Sequence, residues 1–101
     1  MASSENFAKY IFDIAGSAEG FKFRKMMGEY IIYCKGKVVG GIYDNRFLVK
    51  DTAAARKYIE NPRFEIPYEG AKSMILIEMQ DRDFAQKLLE ETAEQLIKNK
   101  K

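Results

Sequence analysis

The chain contains no histidine and no tryptophan, one cysteine and only two prolines in 101 residues. The missing histidines have the widest consequence. No imidazole is available as a general base near neutral pH, so triads and dyads of the usual kind cannot be assembled. Zinc, copper or non-haem iron would have to be held by carboxylates and one thiolate. A lone Cys34 cannot close an intramolecular disulfide, and nothing points to an oxidising compartment. No apolar run approaches the roughly 20 residues of a membrane-spanning helix, and the N-terminus shows no basic, apolar, small-residue leader. The expected address is the cytoplasm, with no metal and no cofactor. Neither sign of charge is in large excess: 17 basic against 15 acidic residues leaves +2, too little by itself to name a nucleic-acid partner.

What is present is an ordinary globular composition, 47% hydrophobic and 32% charged. A chain of this length makes one domain, here residues 1–101, able to bury roughly 65% of its extended surface around one core. Its centre is the stretch from Phe21 to Lys50. Phe21 and Phe23 alternate with Lys22 and Arg24, the period of two expected of a strand with one buried and one wet face. Gly28 interrupts the pattern before Tyr30-Ile31-Ile32-Tyr33-Cys34. Lys35-Gly36 suits a two-residue hairpin loop leading into Val38-Val39, and Asp44-Asn45 suits the next, between Ile42-Tyr43 and Phe47-Leu48-Val49. Loops this short impose antiparallel pairing. Gly40-Gly41 inside the third run suggests a bulge or the close approach of a packed helix.

Helical patterns flank this meander. Ser3 or Ser4 can cap a first helix with Phe7, Ile11 and Ile14 on one face, ending near Gly16 and Gly20. Asp51 or Thr52 can cap a short second helix through Ala53-Ala54-Ala55 to Ile59, which Pro62 stops. Residues 61–72 hold both prolines and Gly70 and read as a connecting loop. Met74 to Met79 reads as a last, apolar strand, and Asp81 caps a final helix with Ala85, Leu88, Leu89, Thr92 and Leu96 in one stripe. The order α-β-β-β-β-α-β-α predicts a two-layer α+β fold: about five mostly antiparallel strands with helices on one face. Tyr30, Ile32 and Cys34 then point one way, Ile31 and Tyr33 the other. A sheet apolar on both sides invites a second subunit or a ligand on its uncovered face, and a homodimer is expected.

Arg24, Met26, Met27, Gly28, Tyr30, Ile32, Tyr33 and Gly36 form a pattern R-x-M-M-G-x-Y-x-I-Y-x-x-G. It resembles the opening signature of the TfoX/Sxy N-terminal domain family, usually R-x-M-F-G-G-Y-G-I-Y. The likeness runs on through Asp44, Leu48 and Lys50, then Pro67-Tyr68 and Lys72-Ser73-Met74. Met27 replaces the usual Phe, Glu29 and Ile31 replace glycines, and Gln80 stands where a proline commonly ends the last strand. The resemblance implies a two-layer α/β domain with an antiparallel sheet, standing alone without the family's C-terminal domain. It also implies a bacterial role in transcription and competence regulation and no inherited catalytic residue.

The candidate sites follow. Arg24, Met26, Met27, Tyr30 and Tyr33 make the expected protein-interaction surface, although Met26 and Met27 suit core filling as well as an adaptable contact. Lys22, Arg24, Lys25, Lys35 and Lys37 lie in a stretch whose seven basic residues outnumber two acids, and with neighbouring rings they are the candidate nucleic-acid contacts. The plainer reading makes them the solvated edge of a strand. Cys34 beside Lys35 and Lys37 could be an activated thiol, against a buried, inert strand cysteine. Glu29 with Asp44, or Glu65 with Glu69, have no spacing that suggests acid–base work. Gly40-Gly41 precedes no helix and makes no phosphate loop. A non-catalytic interaction domain is the expected function, direct nucleic-acid binding the alternative, and a thiol enzyme the third.

Overall fold

Three two-residue turns shape the first half of the molecule. The computed structural model describes residues 4–78 and 81–98. In it β1 (Lys22–Met26), β2 (Glu29–Cys34), β3 (Lys37–Tyr43) and β4 (Arg46–Val49) follow one another as an antiparallel meander. Each connection is a pair of left-handed residues: Met27 and Gly28 at φ 52° and 83°, Lys35 and Gly36 at 54° and 80°, Asp44 and Asn45 at 53° and 57°. Two consecutive positive φ angles define the type I′ turn, whose twist matches that of the strands it joins.

The chain then crosses through α2 (Ala53–Tyr58), capped by the Thr52 hydroxyl accepting from Ala55 N. It enters β5 (Phe64–Glu65) at the far edge and returns as β6 (Met74–Leu76) between β5 and β4. The order is β1-β2-β3-β4-β6-β5, antiparallel throughout. The α+β class and the two layers are as expected, but the sheet has six strands and not five. The extra one is β5, inside the stretch read as a connecting loop. Two residues flanked by Pro62 and Pro67 have no period to recognise; pairing of Phe64 with Ile75 and of Glu65 with Met74 makes them a strand. Of the strand expected over Met74 to Met79, the structure assigns Met74–Leu76, and Met79 lies outside the described residues, as do Ser3 and Gln80.

All three helices cover one face. α1 (Glu5–Ala15) is capped by Ser4, whose hydroxyl accepts from Phe7 N, and buries Ala8, Ile11, Ile14 and Ala15. α3 (Arg82–Lys98) is capped by Asp81, which accepts from Asp83 N, and buries Ala85, Leu88, Leu89, Thr92 and Ala93. Beneath them lie Tyr30, Ile32, Cys34, Val39, Ile42, Phe47, Val49 and Ile75, the sheet half of the core. The pairing slips between Ile32 and Tyr33, a bulge that falls in the part of β3 where Gly40-Gly41 led one to expect it. No helix makes the close approach at Gly41. A Cβ there would lie 2.6 Å from the backbone oxygen of Tyr30 and 2.6 Å from Cε2 of Tyr43, whose ring folds back along its own strand over the glycine.

Thr92, on the buried stripe of α3, is fully buried, and among the described residues its hydroxyl has no hydrogen-bond partner. An unpaired buried hydroxyl costs about 1–3 kcal/mol of desolvation. Thr92→Val, which keeps the shape and removes the polar atom, is expected to stabilise the fold by about 1 kcal/mol. Urea unfolding should show a higher midpoint at unchanged slope; an unchanged or lower midpoint refutes this.

Candidate functional site

Strand alternation divides the predicted surface. Residues directly opposite in an antiparallel pair share a face, and β1 registers Lys22 with Tyr33, Arg24 with Ile31 and Met26 with Glu29. These six side chains occupy the face away from the helices. Phe23 registers with Ile32 and Lys25 with Tyr30 on the helix side. Tyr30, expected on the contact surface, is therefore corrected to the core: it is 5% exposed and meets the Phe12 ring edge-on at 5.5 Å. The other four expected contact residues, Arg24, Met26, Met27 and Tyr33, do lie together at the β1–β2 end. Met27 at the hairpin tip is 95% exposed and Met26 43%.

The basic candidates are dispersed. Lys22 and Arg24 share the open face. Lys25 points to the other side, 3.9 Å from Glu5 and 5.9 Å from the Tyr30 ring centroid. Lys35 donates to Glu94 at 2.9 Å and lies 3.8 Å from Glu19; the Glu94 bond holds its ammonium above its ordinary pKa. Lys37 starts β3 opposite Cys34, half-buried. Two of the five are thus engaged by carboxylates. Of the four candidate carboxylates two are engaged: Glu29 accepts from Asp44 N at 3.1 Å, and Glu65 accepts from Arg46 Nη1 at 2.6 Å.

Cys34 sits at a strand end but is fully buried, and its thiol donates to the Glu19 carbonyl at 2.9 Å. Burial pushes it up to about 11; Glu90 adds to the rise, and Lys35 beside it opposes without reversing it. Of the two sequence readings, the buried strand cysteine is the one the structure shows. The core claims the side chain because Cys34 has the same parity as Ile32. Among the described residues, no group of three or more His, Cys, Asp or Glu is placed to hold a metal ion.

The helix-free face carries a second feature, which the strand pattern did not disclose. Arg46 donates to the carbonyls of Tyr43, Ile66 and Pro67 as well as to Glu65, and so ties the start of the β5–β6 connection onto the sheet. Leu48, fully buried yet outside the helix-side core, lies on this face, as does Leu76 paired with it. The connection turns at Tyr68–Ala71, with Gly70 at φ 88°, and returns to β6. It leaves a cavity of about 730 Å³, bounded by Tyr43 and Tyr68, by Lys50, Lys72 and Asp51, and by an apolar floor that includes Val38 and Met74. Burial raises the Tyr43 phenol above its ordinary pKa, aided by Tyr68, Glu29 and Tyr33, so it remains an O–H donor. Lys50, Pro67, Tyr68, Lys72, Ser73 and Met74 had all been noted within the family-like pattern, yet their convergence across 24 residues of chain was invisible there.

A protein of Spirochaeta aurantia described as an uncharacterised 12.7 kDa protein in the trpE 5′ region is 43% identical over 72 residues. The match covers 71% of this chain and 63% of that protein's length. No family model matches the chain, and no solved structure does. Among the described residues no helix is long and apolar enough to cross a membrane.

The buried thiol yields a prediction. Native protein should resist a thiol reagent that labels the denatured chain. The folded thiol ionises near 11 against 9.0 unfolded, so its stabilising contribution is complete below pH 9 and is lost as pH rises from there to about 11. The total is on the order of 2–3 kcal/mol. Alkaline unfolding curves of the wild type and Cys34→Ala should therefore converge across that window; a constant separation refutes the assignment.

Proposed function

We propose that this chain is a non-catalytic protein-interaction module. Its contact surface is the helix-free side of the β1–β2 hairpin: Lys22, Arg24, Met26, Met27 and Tyr33. The observation that carries the reading is Met27. It occupies the first position of a type I′ turn, where a left-handed conformation costs a residue with a Cβ about 1–2 kcal/mol and where Asn or Gly is favoured. It is also the most exposed large apolar side chain described, at 95%. The fold gains neither conformation nor burial from methionine there, and local rules are broken in this way where binding requires it.

The chemistry of the partner follows from β1. All five of its residues are exposed, and it pairs on one side only, leaving an edge that can accept another strand. Lys22, Arg24 and Lys25 make that edge cationic. A second copy paired antiparallel through the same edge would bring these cations together, a known defence against self-association. The edge therefore favours an acidic extended segment of another protein over a copy of itself, and the dimer expectation finds no support at this strand. The resemblance to the TfoX N-terminal family would place such a module in transcriptional regulation.

The test uses a photo-crosslinking residue in place of Met26, in the cell of origin. One adduct is expected, lost in Arg24→Glu and in Met27→Asn. Met27→Asn should at the same time raise stability by about 1 kcal/mol, since Asn tolerates the left-handed region better. An adduct unchanged by both substitutions overturns the proposal. Salt-sensitive retention on DNA that Met27→Asn leaves intact and Lys22→Glu/Arg24→Glu abolishes points to nucleic acid instead.

A further inference from the structure

The cavity under the β5–β6 connection is separate from the hairpin surface and carries its own chemistry. Its volume of about 730 Å³ is within the roughly 300–1,000 Å³ of small-molecule sites. Two aromatic walls meet at an angle: the Tyr43 and Tyr68 ring centroids are 6.1 Å apart, with planes inclined at 57°. Tyr43 is held by its own strand over Gly41, and Tyr68 by the turn behind it. The remaining apolar lining includes Val38 and the thioether of Met74, which adapts to a flat ring.

The electrostatics select the sign of the guest. Asp51 is the cavity's carboxylate, and Arg56 neutralises it from outside through two bonds, Nε to Oδ1 at 2.7 Å and Nη2 to Oδ2 at 2.8 Å. Lys50 and Lys72 line the same cavity, and neither has an ion pair or hydrogen bond to another described side chain. Lys25, Lys35 and Lys57 each stand within 4 Å of a glutamate, whereas Lys22, Lys37 and Lys87, like Lys50 and Lys72, have no ion pair among the described residues; what sets Lys50 and Lys72 apart is that they line one cavity together. The cavity thus pairs an aromatic corner with two uncompensated cations, an arrangement that repels an organic cation and leaves a neutral ring half its potential contacts.

We propose that this cavity is a binding site for a small planar aromatic anion, its ring against Tyr43, Tyr68 and Met74 and its carboxylate or phosphate between Lys50 and Lys72. The connection is positioned for this by Arg46, whose bonds to Glu65, Ile66 and Pro67 place Tyr68 opposite Tyr43. Arg46 is a positioning residue and does not line the cavity.

The probe is 2-naphthoate, titrated into the full chain by calorimetry, with 2-naphthyl phosphate, 2-naphthylmethanol and acetate as comparators. One-to-one binding is expected with a dissociation constant of about 0.1–1 mM, the range that ligand efficiency allows a ligand this small in an open site. Lys50→Met/Lys72→Met should weaken it about tenfold or more, and Tyr68→Ala similarly, as removal of paired charges and a stacking face does. Lys87→Met, on α3, should leave it unchanged. The neutral alcohol and acetate should bind at least about tenfold more weakly, since each lacks one half of the recognised chemistry. Tighter binding of the phosphate than of the carboxylate, or the reverse, supports the site and names the headgroup. No saturation by either anion, equal affinity for the alcohol, or undiminished affinity in the double lysine variant overturns it. The lysines are exposed and structurally unengaged, so the double variant is expected to keep the wild-type circular dichroism.

Discussion

Every part of this fold depends on the twist that three consecutive left-handed turns allow. A right-handed ribbon closes most readily in two residues through type I′ or II′ turns, and the pairs 27–28, 35–36 and 44–45 all take the form with two positive φ angles. With the turns this short the register is pinned at each loop, apart from the one bulge opposite Ile32 and Tyr33, and register decides which side chains meet the helices. Shifting β2 by one residue would exchange Tyr30, Ile32 and Cys34 for Ile31 and Tyr33 in the core. The helices add area but not specification: α1 and α3 lay apolar stripes on a surface whose order the turns have already set.

The two faces of the sheet are closed by different means. Helices seal one face with aliphatic side chains and near-complete burial. The other is roofed only at the β4–β6 end, by a connection held through a half-buried guanidinium spread over a carboxylate and three carbonyls. A charged anchor of this kind satisfies the polar backbone of a loop that an apolar contact would leave unpaired. It also leaves space beneath the loop, and it leaves the β1–β2 end uncovered. Both candidate binding surfaces exist because the second layer stops halfway.

Residue patterns were informative where a local rule governs structure. Lys35-Gly36 and Asp44-Asn45 announced their turns, Asp81 its cap and the α3 stripe its buried face, because each depends on neighbours within four residues; the other two caps were narrowed to Ser3 or Ser4 and to Asp51 or Thr52, and the structure uses Ser4 and Thr52. Met27 hid the first turn, since methionine is no turn former; only Gly28 betrayed it. β5 was hidden for the opposite reason, being a strand by virtue of its partner and not of its composition. Tyr30 looked like a surface aromatic beside two methionines, and the parity of β2 against α1 moved it inside.

The sequence alone determined the class, the meander, where the helices start to within a residue and the exclusion of imidazole chemistry, because these follow from composition, from period and from backbone preferences of adjacent residues. Tertiary structure alone decided that Lys25 and Lys35 meet Glu5, Glu19 and Glu94, and that Lys50 and Lys72 line one cavity with no carboxylate partner among the described residues. It also decided whether Cys34 is ionisable and where Tyr43 faces Tyr68. Those outcomes depend on distances between side chains tens of residues apart, set by how a second layer packs, and no local propensity encodes them.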